Sequence, residues 1–158
     1  MIKLISPLDQ VDSSARFTVG SRTTTNDGNE YIYLPGIASC AQYDWVIYNR
    51  GTSSGTTKAS YGSVTRINIT TAGNAGIAQA AILGPKYGWF MIKGAGWGNA
   101  GAQVSSGSPI YASGTVGLVS TTVNAGNAVY NAFATQAGVS GGTCRVVINY
   151  PVIYGQVI

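Results

Sequence analysis

The most apolar and most regularly patterned stretch of the chain runs from Gly73 to Gly98. Within it, the segment 86–93 has the length of one β-strand and carries large apolar residues at both odd and even positions. Because successive side chains of a strand point to opposite faces, the pattern predicts one face made of Tyr87, Trp89 and Met91 and an opposite face made of Phe90 and Ile92. A strand that is apolar on both faces is usually covered on both sides. We therefore predict that this strand lies at the centre of the core.

A second apolar run, Ile77–Leu83, precedes this strand and is separated from it by Gly84-Pro85, a dipeptide typical of turns. We interpret the two runs as paired strands at the centre of a small β core. Periodicity alone does not distinguish a short buried strand from a buried helix, so a short helix over Gly76–Ile82 stays open as the alternative.

The remaining apolar runs are short and are separated by Gly-rich and Ser-rich segments, a pattern typical of all-β sandwiches and barrels. The Asp27-Gly28 turn between 17–25 and 30–34 predicts a β-hairpin. Asn124–Thr135 is ambiguous and fits a short helix face as well. We predict an all-β fold, a compact small sandwich or barrel-like domain, with further strands over 43–49, 64–70, 102–105, 109–112, 115–122 and 144–150.

The first sixteen residues have no clean hydrophobic period and are predicted to form an extended arm, while residues 17–158, which contain no long linker, form one domain. Pro7 biases the residue before it towards an extended conformation. The arm is either an edge strand on the domain's own core or a segment that docks on a partner. In the second case the docking residues are Ile2, Lys3, Leu4, Ile5, Pro7, Leu8 and Val11.

Charge is scarce and unevenly distributed. Charged residues make up 9% of the chain, compared with about 25% in typical soluble domains, and a weakly charged surface favours association. All five acids precede Trp45, and the six bases after it are scattered singly, whereas nucleic-acid binders cluster them. The sequence shows no secretory signal and no apolar run near the ~20 residues of a membrane span. We therefore predict a soluble, cytoplasmically made protein that binds neither nucleic acid nor membrane.

The residues needed for common catalytic and metal sites are missing. There is no histidine, which excludes a His-ligated zinc site, and the two cysteines, Cys40 and Cys144, lack metal-ligand spacing; we expect buried thiols, with a disulfide as the alternative. Two Gly-x-Ser-x-Gly matches, at Ser53 and Ser140, lack the base that such a nucleophile needs. Glu30 and Asp44 are the one pair of acids that neighbouring strands can bring together. The sequence therefore predicts no enzyme, no catalytic residue, no cofactor and no metal site.

Four segments of the chain form a recognisable series, in the order Asp27–Tyr33, Asp44–Val46, Gly76–Ile82 and Tyr87–Gly94. Taken together, they resemble the small decoration, or cement, proteins on the heads of tailed bacteriophages. The resemblance implies a non-enzymatic structural virion protein that binds the outside of the expanded capsid and stabilises it by bridging subunits of the major capsid protein. It also implies a homotrimer, an N-terminal arm that reaches the capsid protein, and a final location on the capsid exterior after synthesis in the host cytoplasm.

A second interpretation is a carbohydrate- or receptor-binding module of a phage fibre or head appendage. Aromatic rings on a protein surface can stack on sugar rings of a host-surface glycan. The candidate stacking residues are Tyr48, Tyr61 and Trp97, which this interpretation requires to be exposed.

Overall fold

The computed structural model describes residues 7–51, 60–67, 70–101, 104–121, 128–137 and 142–154, and these residues form an all-β domain without helices, as predicted. The described strands belong to one antiparallel sheet. They are β1 (Arg22–Thr24), β2 (Glu30–Pro35), β3 (Trp45–Gly51), β4 (Ser60–Arg66), β5 (Gly73–Ala78), β6 (Tyr87–Asn99), β7 (Pro109–Ala112), β8 (Val119–Ser120), β9 (Ala128–Ala134) and β10 (Thr143–Ile153).

The sheet is organised around β6, the longest of these strands. The main path through the sheet is β1-β2-β6-β5-β10-β9-β7-β8, and β3 joins it through β5 and carries β4 on its other side. The first half of β6 pairs with β2, its middle pairs with β5 at Met91 and Ile77, and its second half pairs with β10. The predicted pairing of the two central apolar runs is therefore confirmed.

The β7–β8 end of the sheet approaches β3 and the end of β6, which gives the domain a barrel-like form. The amide N of Trp45 donates to the carbonyl O of Gly117 at 2.9 Å, and the amide N of Gly117 donates to the carbonyl O of Ile67 at 2.7 Å. Val119 in β8 also forms an isolated bridge with Ala100, directly after β6. These contacts join the β7–β8 end of the sheet to β3 and β6.

The sheet buries one hydrophobic cluster inside the barrel and a second on its outer side. The inner cluster contains Trp45, Trp89 and Met91, and Tyr87 packs partly against it. The outer cluster contains Phe90 and Ile92, and the loops that connect the strands cover it with Cys40 and Ile82 among others. The two faces of the central strand are therefore those that the alternation predicts.

A glycine changes which residues of β6 face inwards. Before Gly94, the odd-numbered residues Trp89 and Met91 face the inner cluster. Gly94 has φ +114°, a conformation that glycine adopts without the steric cost of a side chain. After it, the odd-numbered residues Ala95 and Trp97 are exposed and Gly98 is buried. One strand thus lines the core with its first half and presents an outer surface with its second.

Several predicted elements differ from the observed ones. The first arm of the hairpin is Arg22–Thr24 instead of 17–25, and the strand predicted over 64–70 is Ser60–Arg66. The strand predicted over 115–122 is Val119–Ser120, because the residues before it form a turn in which the amide of Leu118 donates to the carbonyl of Thr115. The described residues of 102–105 belong to none of the ten strands.

The strand before β6 covers Gly73–Ala78 instead of 77–83, and the alternative helix over Gly76–Ile82 is not formed. After Ala78 the chain leaves the sheet edge, and Ile82 accepts a hydrogen bond from the amide of Ile37. The ambiguous segment 124–135 contains a strand, β9, instead of a short helix in its described part.

The described part of the N-terminal segment packs on the domain's own sheet. Asp12 and Tyr87 exchange two backbone hydrogen bonds of 2.9 Å each. Leu8 packs against the inner cluster and Val11 against the outer one, while Pro7 is exposed. The other proposed docking residues, Ile2, Lys3, Leu4 and Ile5, lie outside the described residues. Docking of this segment on a partner stays a prediction.

Candidate binding surface

Most of the large hydrophobic side chains exposed in the described part of the chain lie along the outer side of β6, β9 and β10. In β10 the alternation buries Cys144, Val146 and Ile148 and turns Arg145 outwards. We call the resulting surface the aromatic face; its rings are Trp97, Tyr130, Phe133, Tyr150 and Tyr154, and the cations among them are Arg22, Lys93 and Arg145.

Cross-strand pairing builds the centre of the aromatic face. Phe133 lies opposite Pro109 on one side and Val147 on the other, and Val147 lies opposite Ala95. This row of apolar residues therefore crosses four strands. In the neighbouring position, Arg145 lies opposite Trp97, and its guanidinium carbon is 5.9 Å from the centre of the Trp97 ring. Such a distance allows a cation–π contact.

A β-bulge places Tyr150 on the same surface. The pairing of β10 with β9 shifts between Ile148 and Val152, and as a result the successive residues Asn149 and Tyr150 are both exposed. Tyr150 has φ 50° and Asn131, in the same interval on β9, has φ 59°. Positive φ values are uncommon for residues other than glycine and concentrate at functional sites. The aromatic face thus contains the kind of backbone strain that binding surfaces retain.

The strained tyrosine is held by a small polar network. Its hydroxyl donates to Glu30, and the ammonium N of Lys93 lies 3.1 Å from the other carboxylate oxygen of Glu30. Lys93 and Arg22 lie 5.6 Å and 5.8 Å from the centre of the Tyr150 ring. The hydrogen bond from Tyr150, followed by that from Lys93, lowers the pKa of Glu30, and the same contacts raise the pKa of Tyr150 and of Lys93. Glu30 is therefore ionised at neutral pH, and its carboxylate is held by Tyr150 and Lys93 of the same face.

The other acids whose hydrogen bonds are described also hold structural groups. Asp44 is buried and accepts from the backbone N of Ala41 at 2.9 Å and from the side-chain amide of Asn99 at 3.0 Å. Asp12 accepts from the hydroxyl of Tyr33 at 2.6 Å. Asp44 and Glu30, the pair of acids considered in the sequence, thus hold different groups and share no described hydrogen-bond partner. In the part of the chain that the structure describes, no group of three acidic, cysteine or histidine side chains is placed to hold a metal ion.

The contact between Tyr33 and Asp12 predicts a specific pH dependence of stability. Burial, followed by the hydrogen bond to Asp12, raises the pKa of Tyr33 to about 12 from an ordinary value of 10.0. Since the unfolded state loses the proton first, this contribution to stability is complete below pH 10 and is lost as the pH rises through about 12. We expect urea unfolding to show a steeper loss of stability above pH 10 for the wild-type protein than for Tyr33→Phe. Equal slopes would contradict the prediction.

Other residues singled out in the sequence are inert or belong to strands. Cys40 and Cys144 are both buried thiols, as expected, and burial raises the pKa of Cys144. The glycine-rich end of the central apolar stretch, residues 94–98, is part of β6. Ser53 and Ser140 lie outside the described residues.

The predicted set of sugar-stacking residues is partly wrong. Tyr48 is only 4% exposed because it shares the face of β3 that carries Val46 into the outer cluster. The side chain of Tyr61 lies outside the described part, and Trp97 is 39% exposed, as that interpretation requires. The sequence reasoning missed Tyr130 and Phe133, the second 47% exposed. Reading 124–135 as an alternating strand would have placed Tyr130 on the face opposite Val129, which is buried.

Comparison with known proteins gives no family for this chain. No protein-family model matches it, and no curated protein is significantly similar to it. Within the described ranges, no helix of the length and apolar character needed to cross a membrane is present. The features of this chain that bear on its function are therefore the aromatic face and the four segments that resemble decoration proteins.

Proposed function

We propose that this protein is a structural virion protein that binds the outside of an expanded phage capsid and stabilises it by bridging capsid subunits. The observation that carries the proposal is the aromatic face, an exposed, strained and weakly charged surface on a domain in which Asp12, Glu30 and Asp44 hold structural contacts. Such a surface is suited to association with another macromolecule. The homotrimeric state and the capsid location belong to the proposal and come from the resemblance.

The distribution of the resembling segments supports this function. Residues 27–33, 44–46, 76–82 and 87–94 contribute to β2, β3, β5 and β6, which are connected directly to one another in the sheet. The segments therefore form one continuous part of the fold. The C-terminal strands β7, β9 and β10, where the resemblance is looser, build much of the aromatic face.

Stabilisation by such a protein follows from mass action. A protein that binds the expanded shell but not its dissociated subunits shifts the equilibrium towards the shell, by RT ln(1 + [L]/Kd) per site. Many copies that each bridge neighbouring subunits add these contributions over the shell. No chemical step is needed, in agreement with the absence of histidine from the chain.

Binding to shells tests the proposal directly. Purified protein is mixed with expanded shells of the phage that encodes it, and bound copies are counted after sedimentation. We expect saturable binding at a fixed number of copies per shell and a higher dissociation temperature of decorated shells. Unexpanded shells serve as the control and are expected to bind less. An expanded shell that gains neither copies nor stability would refute the proposed function.

A carbohydrate- or receptor-binding module is the second candidate, favoured by the exposure of Trp97, Tyr130 and Tyr154 on one surface. Rings with this exposure can stack on sugars. The same protein preparation is therefore applied to host-surface glycans. Glycan binding without shell binding would replace the first proposal by the second.

A further inference from the structure

We infer that the aromatic face is the surface through which this chain docks on the shell, and that it fits an acidic patch of the shell protein. The inference rests on the proposed function and adds to it the residues of contact and the chemistry of the partner surface. Three properties of the face carry it: its local strain, its composition and its charge.

Backbone strain occurs at the centre of the face. Among the described residues other than glycine, Asn131 and Tyr150 have positive φ values on the face, and Ser39 and Tyr43 have them elsewhere. The bulge between Ile148 and Val152 and the positive φ values of Asn131 and Tyr150 occur together at one point of the face. Each such conformation costs free energy and persists only when the surrounding structure holds it. Bulges are known to redirect side chains next to functional sites. Here the bulge exposes the Tyr150 ring between Lys93 and Arg22.

The composition favours a protein partner over a carbohydrate. Trp, Tyr and Arg are the residues enriched at the energetic centres of protein interfaces, and Trp97, Arg145, Tyr130 and Tyr150 supply all three types. A flat sugar platform needs rings that present parallel faces. The planes of Tyr130 and Tyr154 are inclined by 60°, with 5.2 Å between ring centres, and the guanidinium of Arg145 lies over the Trp97 ring.

The cations of the face favour an acidic partner. The face carries Arg22, Lys93 and Arg145, and the carboxylates on it and at its edge are Glu30 and Asp27, which gives 3 − 2 = +1. Glu30 already accepts from Lys93 and Tyr150. Asp27, in the hairpin beside Ala95, is bound by Thr25 and Asn29. Arg145 is exposed, and its planar fork of donors suits a carboxylate in two-point contact. A carboxylate-rich patch therefore complements this surface.

Two substitutions on the face test the inference against matched controls. Arg145→Glu reverses the exposed charge, and Trp97→Ala removes the ring beside it. Lys86→Glu makes the same change of charge at an exposed position outside the face, and Leu83→Ala truncates an apolar side chain of similar exposure, 43% against 39% for Trp97. Affinity for expanded shells is measured by sedimentation at low and at physiological salt, and folding of each variant is checked by its melting temperature.

We expect Arg145→Glu and Trp97→Ala each to weaken shell binding by about tenfold or more, the range of interface hot spots, and both controls to bind within about twofold of wild type. Added salt should weaken the shell binding of the wild-type protein, because it screens the attraction between Arg145 and the acidic patch. The Arg145→Glu variant lacks this attraction, so added salt should weaken its binding less. Should Trp97→Ala melt early, Trp97→Gln, which keeps more of the side chain's bulk without an aromatic ring, replaces it and must show the same loss of binding.

The remaining outcomes separate the inference from the proposed function. A wild-type protein that does not bind shells would refute the function and the inference with it. Wild-type binding that all four variants retain would refute the inference alone. Variants of the face that keep shell binding but lose binding to host-surface glycans would assign the face to a carbohydrate and equally overturn the inference.

Discussion

Replacing Trp89 with alanine is expected to lower the free energy of unfolding by about 3–5 kcal/mol. Trp89 is 1% exposed in the inner cluster, and its ring centre lies 5.1 Å from that of Tyr33 and 5.3 Å from that of Phe17. Removal of the indole leaves a cavity that strands of a closed sheet cannot readily fill. The loss is a large part of the 5–15 kcal/mol that stabilises a typical domain, and urea unfolding measures it.

Trp97→Ala is the matched control for this prediction. Both tryptophans lie on β6, but Trp97 is on the outer face beyond Gly94 and is 39% exposed. Its truncation removes less buried area and leaves no enclosed cavity, so we expect a smaller loss of unfolding free energy, about 1–2 kcal/mol. Equal destabilisation by the two substitutions would mean that the strand does not change faces at Gly94. An unchanged urea midpoint of Trp89→Ala would place this ring outside the core.

The elements that the sequence predicts well are those whose signal is local. The alternation at Tyr87–Ile92 needs a single strand to be read, and its two faces correspond to the inner and outer clusters. The Asp27-Gly28 turn joins β1 to β2, with Gly28 at φ +83°. Local patterns of this kind are determined by the backbone geometry of strands and turns. They do not depend on which distant strand lies alongside.

The elements that the sequence predicts poorly depend on distant partners. After the end of β5 at Ala78, the chain is held by a backbone hydrogen bond from Ile37 to Ile82. No sequence pattern near Ala78 predicts this contact. In β9, small alanines weaken the alternation of apolar and polar residues that would indicate a strand. The segment is a strand because it pairs with β10. The position of the described N-terminal residues likewise depends on distant partners. Asp12 exchanges backbone hydrogen bonds with Tyr87, and its carboxylate accepts from the hydroxyl of Tyr33.

The candidate site shows the same limit more strongly. The lack of histidine and the few acids already argue against common catalytic arrangements in the sequence alone. The aromatic face cannot be read in this way, because Trp97 and Arg145 meet only through the register of β6 with β10. The exposure of Tyr150 depends on a bulge, and its network depends on the pairing of Glu30 with Lys93. A surface built from single residues of several strands has no sequence motif.

Gly36→Ala is expected to be the second strongly destabilising change, at about 1–3 kcal/mol. A Cβ at Gly36 would lie 2.2 Å from the carbonyl O of Ile82 and 2.7 Å from its Cγ2 atom. Neither segment can easily move, because the amide of Gly36 donates to Lys86 at 2.7 Å and that of Ile37 donates to Ile82 at 3.0 Å. The added methyl group must therefore separate two loops that cover the outer cluster. Urea unfolding again provides the measurement.

Gly114→Ala is the matched control, since it adds the same methyl group where no atom lies within 4 Å and where the backbone does not have a positive φ. Alanine restricts the unfolded chain more than glycine does, so this variant is expected to keep its stability or to gain up to about 1 kcal/mol. The same entropic gain is present at Gly36, and the steric clash has to exceed it for the variant to be destabilised. If Gly36→Ala unfolds at the same urea concentration as Gly114→Ala, the loops at Gly36 and Ile82 can separate without cost, and the close packing over the outer cluster does not contribute to stability.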